Sequence, residues 1–192
     1  MEQKPSLINY FSRSLIGAWQ LIKLNPRAMD YFDKSVDGFW KSFWAIILVA
    51  PLFFLGLGVS FDAAVEQGHQ VSFTAHVVEF LLRLPLIALV MVYFTKFLKI
   101  DAHYSEMIVA FNWLWVLSNY IILPLSMLIS TGIIPIEVGT LLVVVVAVYL
   151  ELYVTWFLFK QSLKISGWLA FGVMIFKALF TLSVMQVIIR IF

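Results

Sequence analysis

The sequence contains no cysteine among its 192 residues. This absence excludes disulfide bonds, catalysis by a thiol, and zinc or iron–sulfur sites built on cysteine. Charged residues are also scarce, since they make up 12% of the chain, against roughly a quarter of a typical soluble domain. Hydrophobic residues make up 62%, and the mean hydropathy is +0.97. This composition indicates one membrane domain, because no polar stretch is long enough to build a second core.

The sequence motifs of the common enzyme classes are absent as well. The chain has no G-x-S-x-G, no H-E-x-x-H, no P-loop and no G-x-G-x-x-G sequence, and we therefore predict a protein that is not an enzyme and holds no cofactor. His69, His76 and Glu79 can be drawn as a metal site, but their spacing matches no established zinc motif, and we predict no metal. Lysines are spread among membrane-proximal turns instead of forming a basic stripe, which argues against binding of nucleic acid.

Five stretches of the chain are long and apolar enough to form transmembrane helices, which need about 20 residues each. They are residues 42–61, 75–98, 107–131, 136–159 and 167–189. The valine run at 143–146 does not indicate a strand, because a backbone in lipid must satisfy its hydrogen bonds internally. We therefore predict an all-α integral membrane protein, with a five-helix bundle over residues 42–192 and a separate N-terminal segment over residues 1–41.

The N-terminal segment is polar but patterned. Apolar side chains recur there at helical spacing, as expected for an amphipathic helix that lies in the membrane interface: Ile8, Phe11, Leu15, Trp19 and Ile22. Phe11, Trp19 and Trp40 are the predicted interfacial anchors. Asn25 and Pro26 predict the start of a second helix, whose apolar stripe continues into the first span. The segment lacks the apolar core of a signal peptide, so we expect the first span to direct insertion.

The distribution of lysine and arginine predicts the orientation. Six of the thirteen basic residues precede the first span, and the loops after spans two and four add Lys96, Lys99, Lys160 and Lys164. The other two loops, 62–74 and 131–137, contain none. The positive-inside rule then predicts a cytoplasmic N-terminus and a C-terminus on the opposite side of the cell inner membrane.

Two charged residues, Glu151 and Lys177, lie inside the last two predicted spans. Each is thirteen residues from residue 164, the centre of the turn between those spans, so antiparallel helices would place them at the same depth. A single charge at a helix centre costs about 2.5–3.5 kcal/mol on insertion scales, which favours pairing. A structural ion pair is the preferred interpretation. A role in moving protons or ions, or two separate groups that are neutral or reach towards the interface, are the alternatives.

Further polar residues accompany this pair. In the third span Ser105, Asn112, Asn119 and Ser126 recur every seven residues and share one helix face. We group Asn112 and Asn119 with Glu151 and Lys177 as a predicted buried polar cluster, in which the amides join helices by hydrogen bonds. In the second span Glu79 and Arg83 are four residues apart, a spacing that predicts an ion pair in the outer half of the membrane.

The layout resembles a known family. Five spans in about 190 residues, short loops and the stretch NPRAMDYFDKSVDGFWKSFWAIILVAPLFFL are similar to the Yip family of Ypt-interacting five-span proteins, its bacterial relatives and small alphaproteobacterial membrane proteins. The Asp-Leu-Tyr-Gly-Pro motif of eukaryotic members is absent. The resemblance therefore implies a fold, and it transfers no binding or catalytic residue.

We predict a non-enzymatic accessory or scaffold subunit that packs against membrane lipids and another membrane protein. The alternative is a small transporter or channel that uses Glu151, Lys177 and Asn119. One property separates the two classes: a transporter needs these polar groups to line a water-accessible cavity, whereas a scaffold needs them packed without water.

Overall fold

The computed structural model describes residues 6–66 and 72–192, which form helices joined by short turns. Eight α-helices are present in this part of the chain: α1 (Leu7–Ile22), α2 (Val36–Ser42), α3 (Trp44–Glu66), α4 (Phe73–Phe97), α5 (Tyr104–Ser130), α6 (Ile136–Val148), α7 (Thr155–Leu163) and α8 (Gly167–Ile191). Short 3₁₀ turns occupy Ala28–Tyr31 and Asp101–His103, and a π-helical segment occupies Tyr149–Val154. The prediction of an all-α fold is confirmed for these residues.

Five helical stretches are long and apolar enough to cross a membrane: Val36–Gly58, Phe73–Phe97, Asp101–Ser130, Ile136–Leu163 and Gly167–Ile191. They coincide with the five predicted spans, with shifts of a few residues at their ends. By length and composition, these five helices suit a multi-pass membrane protein.

Helix α5 is the centre of the bundle. Helices α1, α2, α3, α6 and α7 all pack against it, while α8 packs against α4 and α7. Eleven consecutive residues of α5, from Glu106 to Val116, are buried. A helix that is buried on all sides must be apolar on all sides, and this stretch contains only two strongly polar side chains, Glu106 and Asn112.

Helix α1 crosses the outside of α5. Near its start, Tyr10 donates a hydrogen bond to the carbonyl of Gly38 at 2.9 Å and accepts one from Trp113 Nε1 at 3.2 Å. Burial raises the pKa of Tyr10 to about 12, so the hydroxyl stays protonated and able to donate. At the other end, the carbonyl of Ile22 accepts a hydrogen bond from Tyr149 at 2.6 Å. The helix therefore reaches from α2 to the π-helical segment.

The face that α1 buries differs from the apolar stripe read from the sequence. The buried residues are Tyr10, Ser14, Gly17, Ala18 and Leu21, whereas Ile8 and Trp19 of the predicted stripe are exposed. Small residues occupy this face because the chain returns close to it. A Cβ atom at Gly17 would lie 2.8 Å from Cζ of Phe32.

The predicted continuous helix from Pro26 into the first span is wrong. The chain forms the 3₁₀ turn Ala28–Tyr31, leaves helical geometry at Phe32, and starts again at Val36. Two side chains define the break by bonding to nearby backbone. Asp33 accepts from the amide of Ser35 at 3.0 Å, a local bond that competes with helix formation. Ser35 then caps the new helix by accepting from the amide of Gly38 at 3.0 Å.

The fourth span is interrupted in its middle. The π-helical segment Tyr149–Val154 joins α6 to α7, and the hydroxyl of Thr155 donates to the carbonyl of Leu150 at 3.0 Å. A π-helical turn inserts extra backbone into an α-helix and is frequent at functional sites. Here it carries Glu151.

Candidate functional site

A cavity of about 330 Å³ lies between α4, α5, α8 and the interrupted fourth span. Its apolar lining includes Ile87, Phe111 and Leu114, which come from α4 and α5. Its polar lining comes from every wall: Arg83, Ser118, Asn119, Glu151, Thr155, Lys177 and Thr181. Polar side chains from four directions thus converge in the interior of a bundle that is otherwise apolar.

The cavity forms because two helices diverge. In the half of the bundle nearest the short α7–α8 turn, α7 packs against both α5 and α8. Beyond Glu151, α6 packs mainly against α5, and α8 packs against α4. The gap between α6 and α8 is the space that the polar side chains face.

The ion pair between Glu151 and Lys177 lines this space. The ammonium of Lys177 contacts Oε1 of Glu151, and it also lies 5.1 Å from the ring centroid of Phe111. The two side chains differ in exposure: 7% for Lys177 but 47% for Glu151. The antiparallel geometry of the last two spans therefore does bring the predicted partners together, with the cation packed inside and the carboxylate open to the cavity.

The depth of the pair follows from helix length. Lys177 lies ten residues after the start of α8 at Gly167, which is about 15 Å at 1.5 Å per residue. Half of a hydrocarbon core of about 30 Å is the same distance. The pair therefore lies near the middle of any membrane that the bundle spans.

The Glu79–Arg83 pair joins the same region, which the sequence did not indicate. Arg83 Nε donates to Glu79 Oε1 at 2.6 Å, and Arg83 lines the cavity with Thr181. A narrow extension lined by Glu79, Arg83, Thr181 and Val184 continues from the cavity along α4 and α8. Helix periodicity predicted the pair within α4, but the contact of α4 with α8 that brings it to the cavity is tertiary and leaves no local pattern.

The two asparagines of α5 have different surroundings. Asn119 lines the cavity, and its amide donates to the carbonyl of Trp115 within the same helix at 2.7 Å. Asn112 is 1% exposed and donates to the hydroxyl of Ser42 on α2 at 2.8 Å. Asn119 thus belongs with Glu151 and Lys177, whereas Asn112 joins helices away from them. The predicted cluster of four is in fact a group of three and a separate hydrogen bond.

The three predicted interfacial anchors lie outside the cavity. Phe11 packs inside the protein, with its ring centroid 5.5 Å from that of Trp113. Trp19 and Trp40 are exposed, at 46% and 67%. Lys23 lies over the ring of Trp19, 5.2 Å from its centroid.

A buried carboxylate at the start of α5, Glu106, was missed. Glu106 is 5% exposed and pairs with Lys34 at 2.7 Å, while Nδ1 of His103 lies 3.5 Å from its other oxygen. This group fastens the segment before α2 to the start of α5. No local pattern indicates this contact, because Lys34 and Glu106 meet only after the chain has folded back through α3 and α4.

No group of three histidine, aspartate or glutamate side chains that could hold a metal ion occurs in residues 6–66 and 72–192. His76 bonds through Nδ1 to the carbonyl of Ser72 at 2.9 Å. His69, the third residue of the candidate metal site, lies outside the described residues.

The cavity offers one carboxylate and several fixed hydrogen-bond donors. Glu151 is the group most open to the space, and Lys177 and Arg83 hold positive charge at its walls. Hydroxyls of Thr155 and Thr181 already donate to helix carbonyls, so they present their lone pairs as acceptors. A small polar molecule or a chain of water molecules would therefore find hydrogen-bond donors and acceptors on every wall of the cavity.

The described residues thus form an all-α bundle with five helices long and apolar enough to span a membrane and with a polar site between them. Comparisons of the chain with protein-family models, with curated proteins and with solved structures found no match.

Proposed function

We propose that this protein is a small transporter or channel whose pathway includes the cavity around Glu151, Lys177 and Asn119. The observation that carries the proposal is the cavity itself, because polar side chains from four helical walls line one space of about 330 Å³. An accessory protein that used these groups only to hold helices together would pack them against one another. Ionisable groups inside a membrane are otherwise costly, and they commonly mark ion and proton pathways.

The proton is the species that the lining supports most directly. The Glu151 carboxylate is half-exposed while its partner Lys177 is buried, so water in the cavity can reach the carboxylate without displacing the cation. The extension past Arg83 and Glu79 continues the polar lining towards the end of α4 that begins at Phe73. These residues would form the outer part of the pathway.

The test is proton flux into liposomes that contain only the purified protein. A potassium gradient with valinomycin sets the membrane potential, and a trapped pH dye reports proton entry. We expect flux above that of empty liposomes, and we expect Glu151→Gln to reduce it to the empty-liposome rate. Glu137→Gln is the matched control, because it makes the same change at an exposed position in the first turn of α6. Wild-type flux equal to that of empty liposomes, or equal loss in both variants, would contradict the proposal.

An accessory or scaffold subunit is the second candidate, and the position of α6 favours it. This helix packs mainly against α5, and much of its apolar surface is exposed: Ile136, Val138, Leu141, Leu142, Val144, Val145 and Val148. A neighbouring membrane protein could cover this surface, as could lipid. Co-purification of a larger complex in mild detergent, together with a cavity that excludes water, would favour this candidate.

Location, orientation and family are part of the proposal. The distribution of lysine and arginine supports a cytoplasmic N-terminus in the cell inner membrane. The five spans support a Yip-type layout, and this likeness concerns the arrangement of helices, not the activity.

A further inference from the structure

A groove on the surface between α7 and α8 has features that the proposed pathway does not use. Its wall on the fourth span consists of Leu152, Tyr153 and Trp156, and its wall on α8 consists of Phe171 and Met174. A second hollow lined by Trp156, Phe171, Gly167 and Trp168 continues it to the start of α8. The two hollows share Trp156 and Phe171 and therefore form one groove.

A hydrogen bond fixes the orientation of the tryptophan in this groove. The indole of Trp156 donates a hydrogen bond to the carbonyl of Gly167 at 2.9 Å. The absence of a side chain at Gly167 permits this approach, because a Cβ atom there would lie 3.3 Å from the Trp156 ring. An ordered ring at this place gives the groove a shape that does not depend on its occupant.

Position and charge indicate the occupant. On α8 the groove extends from Gly167 to Met174, seven residues or about 10 Å, which fits within one leaflet of hydrocarbon about 15 Å thick. At the end near the α7–α8 turn stand two exposed lysines, Lys160 and Lys164. Lys160 lies over the ring of Trp156, 5.3 Å from its centroid. An apolar slot that lies within one leaflet, with two cations near its headgroup end, fits a phospholipid with an anionic headgroup.

We propose that the α7–α8 groove is a binding site for one anionic phospholipid, with an acyl chain in the slot and the phosphate at Lys160 and Lys164. Aromatic side chains are common at the headgroup level of membrane proteins, and basic side chains there attract anionic lipids. A general lipid contact needs only an apolar surface. The defined slot and the paired lysines distinguish this site from the rest of the bundle surface.

The experiment is native mass spectrometry of the purified chain after incubation with dioleoyl phosphatidylglycerol or dioleoyl phosphatidylcholine at equal concentration. We expect one phosphatidylglycerol molecule to be retained in preference to phosphatidylcholine. The double variant Lys160→Gln/Lys164→Gln should lose that preference. The control variant Lys96→Gln/Lys99→Gln removes the same charge from the neighbouring basic turn, outside the groove, and should keep the preference.

Three results would overturn the proposal: equal retention of the two lipids by the unmodified protein, equal loss in the two double variants, or displacement of the lipid by soluble glycerol phosphate, which lacks acyl chains. The single variants Lys160→Gln and Lys164→Gln, each expected to lose part of the preference, serve if the double variant does not fold. Retention of the preference by both single variants would count against the site. Proton flux is not a readout here, so failure of this site leaves the proposed pathway untouched.

Discussion

Lys177 and Glu151 lie 26 residues apart in the sequence and form an ion pair between the last two spans, with the lysine side chain 7% and the glutamate side chain 47% exposed. This asymmetry means that the two partners depend on each other unequally. The buried ammonium has Glu151 as its counter-charge, whereas the carboxylate also faces the cavity. The pair therefore joins two helices. Its carboxylate, Glu151, is also the most exposed ionisable side chain of the site.

The two single substitutions should accordingly have unequal effects. Glu151→Gln leaves a buried ammonium uncompensated, which costs on the order of 3–5 kcal/mol. Lys177→Met leaves a carboxylate that the cavity can hydrate, and it should lower stability less. The double variant should recover most of the loss. Thermal unfolding in detergent, followed by size-exclusion chromatography with fluorescence detection, measures the unfolding midpoints of the three variants. A double variant whose loss of stability equals the sum of the two single losses would show that the residues are uncoupled.

The hydrogen bond between Asn112 and Ser42 should stabilise the contact of α2 with α5. Ser42→Ala leaves the amide of Asn112 without its 2.8 Å partner at a site that is 1% exposed, and such a loss costs about 1–3 kcal/mol. Ser126→Ala is the control, since that hydroxyl donates only to the carbonyl of Ile122 in its own helix; we expect a change within about 0.5 kcal/mol. Equal unfolding midpoints for the two variants would show that the Ser42 hydroxyl does not stabilise the contact of α2 with α5.

Several features that depend on residues close together in the sequence could be predicted. Features that depend on contacts between distant parts of the chain could not. The five spans follow from hydropathy alone, and the contact of Glu151 with Lys177 follows from a short turn between two antiparallel helices. The π-helical segment could not be predicted, because the residues of Tyr149–Val154 are ones that an ordinary α-helix also accepts. The break before α2 was missed because Asp33 and Ser35 bond to local backbone, which a periodicity argument does not consider. The cavity needs all four walls in place, and Arg83 enters it only through the packing of α4 on α8.

The orientation can be tested with single cysteines, because the natural chain has none. Thr131→Cys lies in the turn between α5 and α6, whereas Asp101→Cys and Lys164→Cys lie in turns at the other end of the bundle, and all three positions are exposed. An impermeant maleimide added to intact cells should label only position 131. After the cells are opened, positions 101 and 164 should label as well. Labelling of 101 or 164 in intact cells would reverse the proposed orientation.

A pathway around Glu151 requires water in the cavity, and a cysteine at Thr181 reports whether water is there. Only the thiolate reacts with a methanethiosulfonate, and a thiol forms no thiolate in lipid or in a dry core. Leu179→Cys is the matched control, two residues away on the same helix and 61% exposed on the outer surface of the bundle. In the purified protein reconstituted in liposomes, we expect Thr181→Cys to react within about tenfold of the rate of Thr131→Cys, and Leu179→Cys to react at least about a hundredfold more slowly. A Thr181→Cys variant as unreactive as Leu179→Cys would show a dry interior and contradict the proposed pathway.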